Sequence, residues 1–364
     1  MTRPLEIALA KVNTTAREVY LHRPGIAVPP QVVTTEEIAD LILDTHKDFA
    51  SSSGLRRFLA NTGVEERRFT RPLSEVARTE YYEETNDVAV EWVHKLSVEA
   101  ADQALRNAGV AREDVAAIVH CHVTGHAVPS IADRMAEDKQ LLGLPRDALI
   151  VPMTELACAG GAHALAVAAR LAQPGRPVLA VAAEDLSVGF QLEHDMTQQH
   201  VAFKGLFSAG GAAVVVTAEQ PAERPCVEIQ DTWFDRLEGS LSYYQGRFDR
   251  RGMHFDSTKQ ALAAIGQVVP RVPWLADGWR PQHGVFHPGS APILDRMAEH
   301  SHLPDSGLEH ALEVLRTRGN YGAPTVWEVL RRHFDDMPAP DAAGLLLGVG
   351  PGFRTTAHKV RFLS

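Results

Sequence analysis

Apolar positions along the chain follow two alternating patterns. Unbroken apolar runs appear at VAAIVHCHV (115–123), ALIVPM (148–153), PVLAVAAEDL (177–186) and GGAAVVVTAE (210–219). Further strand-like segments are CVEIQDTWF (226–234), HGVFH (283–287), AAGLLLGVG (342–350) and TTAHKVRFL (355–363). Runs of this length without strict alternation predict strands buried on both faces. Between them lie stripes at helical spacing. TTEEIADLIL (34–43) starts with threonine and acidic residues, as a capped helix does. Residues 91–109 keep the same spacing and stop at Gly109. ADRMAEDKQLLGL, the alanine-rich AGGAHALAVAARLAQPG, FDSTKQALAAIGQVVPRV, ILDRMAEHSHL, GLEHALEVLRTRG and GNYGAPTVWEVLRRHF predict further helices. Residues 18–34 read as a strand running into a proline-rich turn.

Strands that alternate with helices predict an α/β fold with parallel or mixed sheets covered by helices. The order repeats. In each half a strand ends in a His/Gly/Pro turn (VHCHVTGHAVP; VFHPGSAP), and a small-residue turn (ACAGG; GNYGAP) opens a helix before glycine-rich strands. EQPAERP (219–225) reads as a linker. The expected halves are 1–218 and 226–364.

Composition narrows the picture. A chain of 364 residues is too long for one small core. A net charge of −10 argues against general nucleic-acid binding, which needs a basic face. No apolar run approaches the roughly 20 residues of a membrane span, and the first residues lack a signal-peptide core. The three cysteines, Cys121, Cys158 and Cys226, are odd in number and form no CxxC, which suits a reducing cytoplasm.

Three residues stand where chemistry is carried. Cys158 lies among small residues where a strand meets a helix. It reads either as a small packed hydrophobe or as a thiol beside a helix N-terminus, whose dipole favours thiolate. His287 ends a strand just before Pro288-Gly289, and Asn320 precedes a helix. Taken singly, the first reads as a structural hydrogen-bonding residue and the second as a cap. As a set they suit acyl transfer, with a thiolate attacking a thioester and side-chain N–H groups stabilising the oxyanion. His120 and His122 share a strand face but lack further ligands at zinc spacing. Glu184 and Asp185 are adjacent in a strand and point to opposite faces, so they do not form a working acid–base pair. GVGPGF near the C-terminus has no βαβ unit after it and fails as a dinucleotide fingerprint.

ACAGGAHALAVAARLA, AEDLSVGFQ, GLFSAGGAAVVV, HPGSAPILD, GNYGAPTVWEVL and GVGPGF, in this order, resemble the chalcone synthase-like type III polyketide synthases of the thiolase superfamily. The resemblance runs from about Gly25 to the end. It implies a thiolase-like fold of duplicated αβαβα layers with two mixed central sheets. It implies that Cys158 is the acyl-accepting nucleophile, and that His287 and Asn320 activate the thiolate and stabilise the enolate from malonyl-CoA. Phe207 and Phe255 match gatekeeping aromatics. Gly246, Gly252 and the turn Gly350 to Phe353, with Pro351, match cavity-shaping backbone. Arg56 and Arg57 lie where the family meets coenzyme A phosphates. The resemblance further implies acyl-CoA and malonyl-CoA as substrates, no resident cofactor or metal, a homodimer closed near Val128, and no nucleic-acid or membrane partner.

The sequence also departs from the family pattern. Ser208-Ala209-Gly210 replaces Gly-Asp-Gly, and HPGSAP replaces HPGGPA. Phe203 replaces a small glycine, Leu186 and Gly189 replace threonines, and Tyr321-Gly322-Ala323 follows Asn320. Phe203 narrows the expected cavity, whereas Gly189 and Gly322 widen it. Two rivals therefore stand beside a synthase that condenses once or iteratively. One is an enzyme of single condensation like ketoacyl synthase III, or one of non-decarboxylative acyl transfer to a carrier protein or small molecule. The other is a catalytically silent thiolase-fold partner, which retention of Cys158 and His287 disfavours.

Overall fold

The computed structural model describes residues 18–47, 51–78, 80–192 and 196–363. The N-terminal stretch read above for a signal peptide lies outside them, apart from its last residues. The strands are β1 (Val19–Leu21), β2 (Gly25–Ala27), β3 (Gln31–Thr34), β4 (Glu66–Phe69), β5 (Ala117–Cys121), β6 (Leu149–Met153) and β7 (Val178–Asp185). There follow β8 (Ala209–Thr217), β9 (Cys226–Arg236), β10 (Tyr244–Asp249), β11 (Gly252–Ser257), β12 (His283–Phe286), β13 (Ala343–Gly350) and β14 (Arg354–Leu363). The helices are α1 (Thr35–Thr45), α2 (Ser52–Ala60), α3 (Leu73–Val76), α4 (Tyr82–Ala108), α5 (Ile131–Glu137) and α6 (Gly160–Leu171). The others are α7 (Gln198–Leu206), α8 (Lys259–Val268), α9 (Pro273–Ala276), α10 (Ala291–Ser301), α11 (Glu309–Arg318) and α12 (Thr325–Asp335).

The predicted strands and helices recur with shifted ends. The first expected strand divides into β1, β2 and β3, because the proline-rich turns break it. Helix α4 starts nine residues before the expected 91, in a polar stretch that gives no apolar stripe. It ends at Gly109, whose φ of 67° is the left-handed cap glycine tolerates best. Phe255 lies on strand β11 and not in the helix expected from residue 255; that helix begins at Lys259. The β10–β11 hairpin and helices α2, α3 and α7 had no clear sequence signal.

The central sheet has ten strands in the order β12-β13-β14-β9-β1-β8-β7-β5-β6, with β2 beside β8. The repeat read from the sequence is visible in the pairing. β5 runs parallel to β7, β7 antiparallel to β8, and β8 antiparallel to β1. Likewise β12 runs parallel to β13, β13 antiparallel to β14, and β14 antiparallel to β9. The two mixed sheets are fused edge to edge, because β1 pairs with both β8 and β9.

Small residues let the layers approach closely. A Cβ on Gly25 would lie 2.2 Å from the Ala100 carbonyl oxygen of α4. A Cβ on Gly161 would lie 2.2 Å from the Ala323 carbonyl oxygen. The Trp327 indole N–H also donates to the Gly161 carbonyl at 3.2 Å. Contact at this range brings the N-terminal end of α6 against that of α12. The segments just before those two helices carry Cys158 and Asn320.

Candidate active site

Cys158 sits in a single 3-10 turn, Ala157–Ala159, between β6 and α6. Glu155 and Ala157 on its approach have φ of 56° and 43°, a left-handed conformation that costs a non-glycine residue of order 1–2 kcal/mol. The turn is held from below by β13. A Cβ on Gly350 would lie 2.6 Å from the Ala159 nitrogen, and one on Gly348 would lie 2.8 Å from the Ala162 Cβ. The GVGPGF motif therefore acts by close backbone approach to the turn that carries Cys158.

Asn320 is fixed at every polar atom. Its N–H donates to the Leu206 carbonyl at 2.9 Å, and its carbonyl accepts from Ser208 N–H at 3.0 Å. Its side-chain Oδ1 accepts from Gly322 N–H at 2.9 Å. That bond turns Nδ2 toward the Cys158 Sγ, 3.9 Å away, and toward the Gly289 carbonyl, 3.4 Å away. Tyr321 anchors the loop: its ring fills the space a Cβ on Gly210 would need, 2.8 Å away, and its hydroxyl donates to the buried Glu328. Ser208-Ala209-Gly210 and Tyr321 are thus packed together, which the sequence did not reveal.

His287 follows β12 in register, its N–H donating to the Leu347 carbonyl at 2.9 Å. The ring is buried, and neither nitrogen has a hydrogen-bond partner among the described residues. Burial lowers its pKa to about 3, so the imidazole rests neutral. Burial pushes the Cys158 thiol up to about 12, opposed by the hydrogen bond from Asn320. Cys158, His287 and Asn320 all line one cavity of about 380 Å³. The rest of its wall is largely apolar, with Phe58 of α2, Leu206 of α7, Leu262 and Ile265 of α8, and Met297 of α10.

Phe203 borders this cavity and also a small one of about 40 Å³, lined by Leu186, Gly189, Phe207, Met253 and Phe255 among others. Phe203 and Phe207 stack with centroids 5.1 Å apart, and Phe207 meets Phe255 edge-on at 5.3 Å. The structure therefore puts Phe203 on the Cys158 wall and the two expected gatekeepers behind it. The space expected from Gly189 and Gly322 does not open the Cys158 cavity. Gly189 lines the small pocket, and a Cβ on Gly322 would meet Glu184 Cγ at 3.1 Å. Gly246 and Pro351 line a separate outer cleft that shares Tyr244 and Phe255. Glu184 accepts from Val123 N–H, Thr124 N–H and the Thr124 hydroxyl, whereas Asp185 accepts from Thr70 and Ser187. The two carboxylates address different partners, as their alternation requires. Burial lifts the Glu184 carboxyl to about 8.

The two arginines differ. Arg56 is ion-paired to Glu36 and Asp40 of α1. Arg57 is exposed, next to Phe58 and one helical turn before Asn61, both of which line the cavity. His120 and His122 are neighbours on one face, with ring centroids 5.1 Å apart, and His120 bonds Ser97 at 2.8 Å. Val128 is 97% exposed. Tyr244, which no motif singled out, lines the Cys158 cavity.

Known proteins share this fold. Residues 11–220 match the N-terminal domain of the chalcone and stilbene synthases. Phloroglucinol synthase of Pseudomonas fluorescens is 28% identical over 339 residues, covering 91% of this chain and 95% of that protein. The 1,3,6,8-tetrahydroxynaphthalene synthase of Streptomyces griseus is 28% identical over 340 residues, covering 91% and 90%. The structure of germicidin synthase from Streptomyces coelicolor, a type III polyketide synthase, superposes with a TM-score of 0.88 at 25% identity, covering 95% of this chain and all of that one. With a thiolase-like fold and a family match across more than half its length, the chain belongs to the chalcone and stilbene synthases, the type III polyketide synthases.

Proposed function

We propose that this type III polyketide synthase, an acyltransferase acting on coenzyme A thioesters, runs its condensation on Cys158, His287 and Asn320. The observation that carries the reading is the Asn320 amide, locked by Gly322 so that its N–H group faces the Cys158 sulfur. Thiol and imidazole are both neutral at rest. Proton transfer from sulfur to His287 makes an opposite-charge pair in a mostly apolar cavity. The N-terminal end of α6 and the Asn320 N–H favour the thiolate side of that pair.

The thiolate attacks the carbonyl of an acyl-CoA and expels the coenzyme A thiolate, leaving an acyl-cysteine. Malonyl-CoA then loses CO2, and the electron pair of the broken C–C bond becomes the enolate of its thioester. N–H groups of His287 and Asn320 stabilise the enolate oxygen. The enolate carbon attacks the acyl-cysteine carbonyl; a C–C bond forms, the C–S bond breaks, and the Cys158 thiolate is restored. The product is a β-ketoacyl-CoA that reloads for further extension. Phe203, by closing the passage toward Phe207 and Phe255, favours short products.

Arg57 serves the coenzyme A phosphates at the cavity mouth, in preference to Arg56. The working boundary between the halves falls at 219–225. A homodimer is expected through the surface of exposed Val128 and Leu149. A reducing cytoplasm suits the thiol nucleophile, and no helix of the described residues is long and apolar enough to cross a membrane. A carrier protein remains an alternative acyl donor.

The test is CO2 release from malonyl-CoA with a panel of short, long and aromatic acyl-CoAs, for the wild type and Cys158→Ala. Release that requires both a starter and Cys158 supports the reading. An acyl group on Cys158 without CO2 release refutes it and leaves plain acyl transfer.

A further inference from the structure

The Cys158 cavity contains a phenol that the mechanism above does not use. Tyr244 opens β10 and pairs in register with Ser257 of β11. Its ring meets Phe203 edge-on at 6.0 Å and lies 6.1 Å from Phe255. These rings fix the side chain against the aromatic wall. Its hydroxyl makes no hydrogen bond among the described residues. Burial raises its pKa well above 10, and the Cys158 thiolate lies close enough to raise it further. The group therefore stays protonated across the working pH range and is available as a donor.

Tyr244 is half-buried and lines the cavity, so its hydroxyl can donate to a ligand there. The ligand that grows in this cavity is the acyl chain on the Cys158 sulfur. A simple aliphatic or aromatic acyl group offers the phenol no acceptor beyond its thioester carbonyl, which His287 and Asn320 already address. After one condensation and reloading, the chain carries a second carbonyl at the β-carbon. That oxygen is the new acceptor.

We propose that Tyr244 is a specificity-determining residue whose hydroxyl donates to the β-carbonyl of the Cys158-bound β-ketoacyl chain, and so favours a second extension over release. This inference rests on the condensing reading above. Phe203 and Phe255 hold the phenol at a fixed place, so the hydrogen bond is gained with little ordering of the protein.

Tyr244→Phe removes the hydroxyl and keeps the ring packing. The experiment uses the full chain with malonyl-CoA and the best of acetyl-, hexanoyl- and benzoyl-CoA. It reads three quantities: the rate of Cys158 acylation by intact mass, CO2 release at the first extension, and the ratio of twice- to once-extended products by mass spectrometry. One neutral hydrogen bond corresponds to a fall of about five-fold in that ratio. The first two quantities should stay within two-fold of wild type. A ratio within two-fold of wild type overturns the proposal. So does an equal fall in all three quantities, which marks a merely structural role, or a wild-type enzyme that stops after one extension. A wild type that releases no CO2 with any starter overturns the condensing reading, and the proposal with it.

Discussion

Asn320→Asp is the sharpest test of the site, because it changes one charge and almost no shape. Oδ1 of the aspartate keeps its acceptor role toward Gly322 N–H. The second oxygen replaces Nδ2, and so faces the Cys158 sulfur at 3.9 Å and the Gly289 carbonyl at 3.4 Å. A donor that favoured thiolate becomes a like charge. At 3.9 Å and an effective dielectric near 20, the repulsion is about 4 kcal/mol. That corresponds to a thiolate fraction lower by roughly a thousand-fold. The enolate loses one donor as well, worth about a hundred-fold or more in rate. The assay pairs the rate of Cys158 alkylation by iodoacetamide across pH with CO2 release from malonyl-CoA; circular dichroism checks the fold. Both rates should collapse while the fold persists. A variant that alkylates and releases CO2 within two-fold of wild type would refute the role assigned to Asn320.

Phe203→Ala should join the small pocket behind Phe207 and Phe255 to the Cys158 cavity, shift products toward longer chains by mass spectrometry, and lower stability by about 2–3 kcal/mol, since the ring is only partly buried. Unchanged product length would remove Phe203 as the limit. Arg57→Glu should raise the KM for malonyl-CoA about ten-fold with little change in kcat, whereas truncated thioesters lacking the nucleotide should be indifferent; an equal effect on both would argue against phosphate contact. Stability should fall as pH drops from 6.5 toward 5. Burial holds His22, His287, His333 and His358 at about 4, 3, 3 and 4, so the unfolded chain takes up protons below 6.5 that the fold refuses. Glu184, raised to about 8, and Asp185, also raised by burial, work in the opposite direction but are two groups against four. A thermal midpoint that is flat or rising over that interval would contradict the assignment.

The sequence by itself determined the alternation of buried strands and helices, the repeat of two halves, and the three residues around which the site forms. It did so because those features are local. Unbroken apolar runs mark strands that lie between helix layers, and small residues beside Cys158 mark a turn with no room for bulk. The Glu184/Asp185 split followed from strand alternation alone. Tertiary structure decided what depends on distant segments meeting. Gly161 and Ala323 are far apart in sequence, yet their contact sets α6 against α12 and so brings Asn320 to Cys158. Tyr321 against Gly210, and Gly350 against Ala159, are packing pairs that no single segment announces. The β10–β11 hairpin carries Tyr244 to the cavity from a polar, exposed stretch without periodic signal. Phe203 became the wall of the cavity, ahead of Phe207 and Phe255, because ring stacking orders three aromatics in space and not along the chain. Arg56 and Arg57 are adjacent and chemically alike; what separates them is the carboxylates of α1, which only the folded chain brings within reach of one and not of the other.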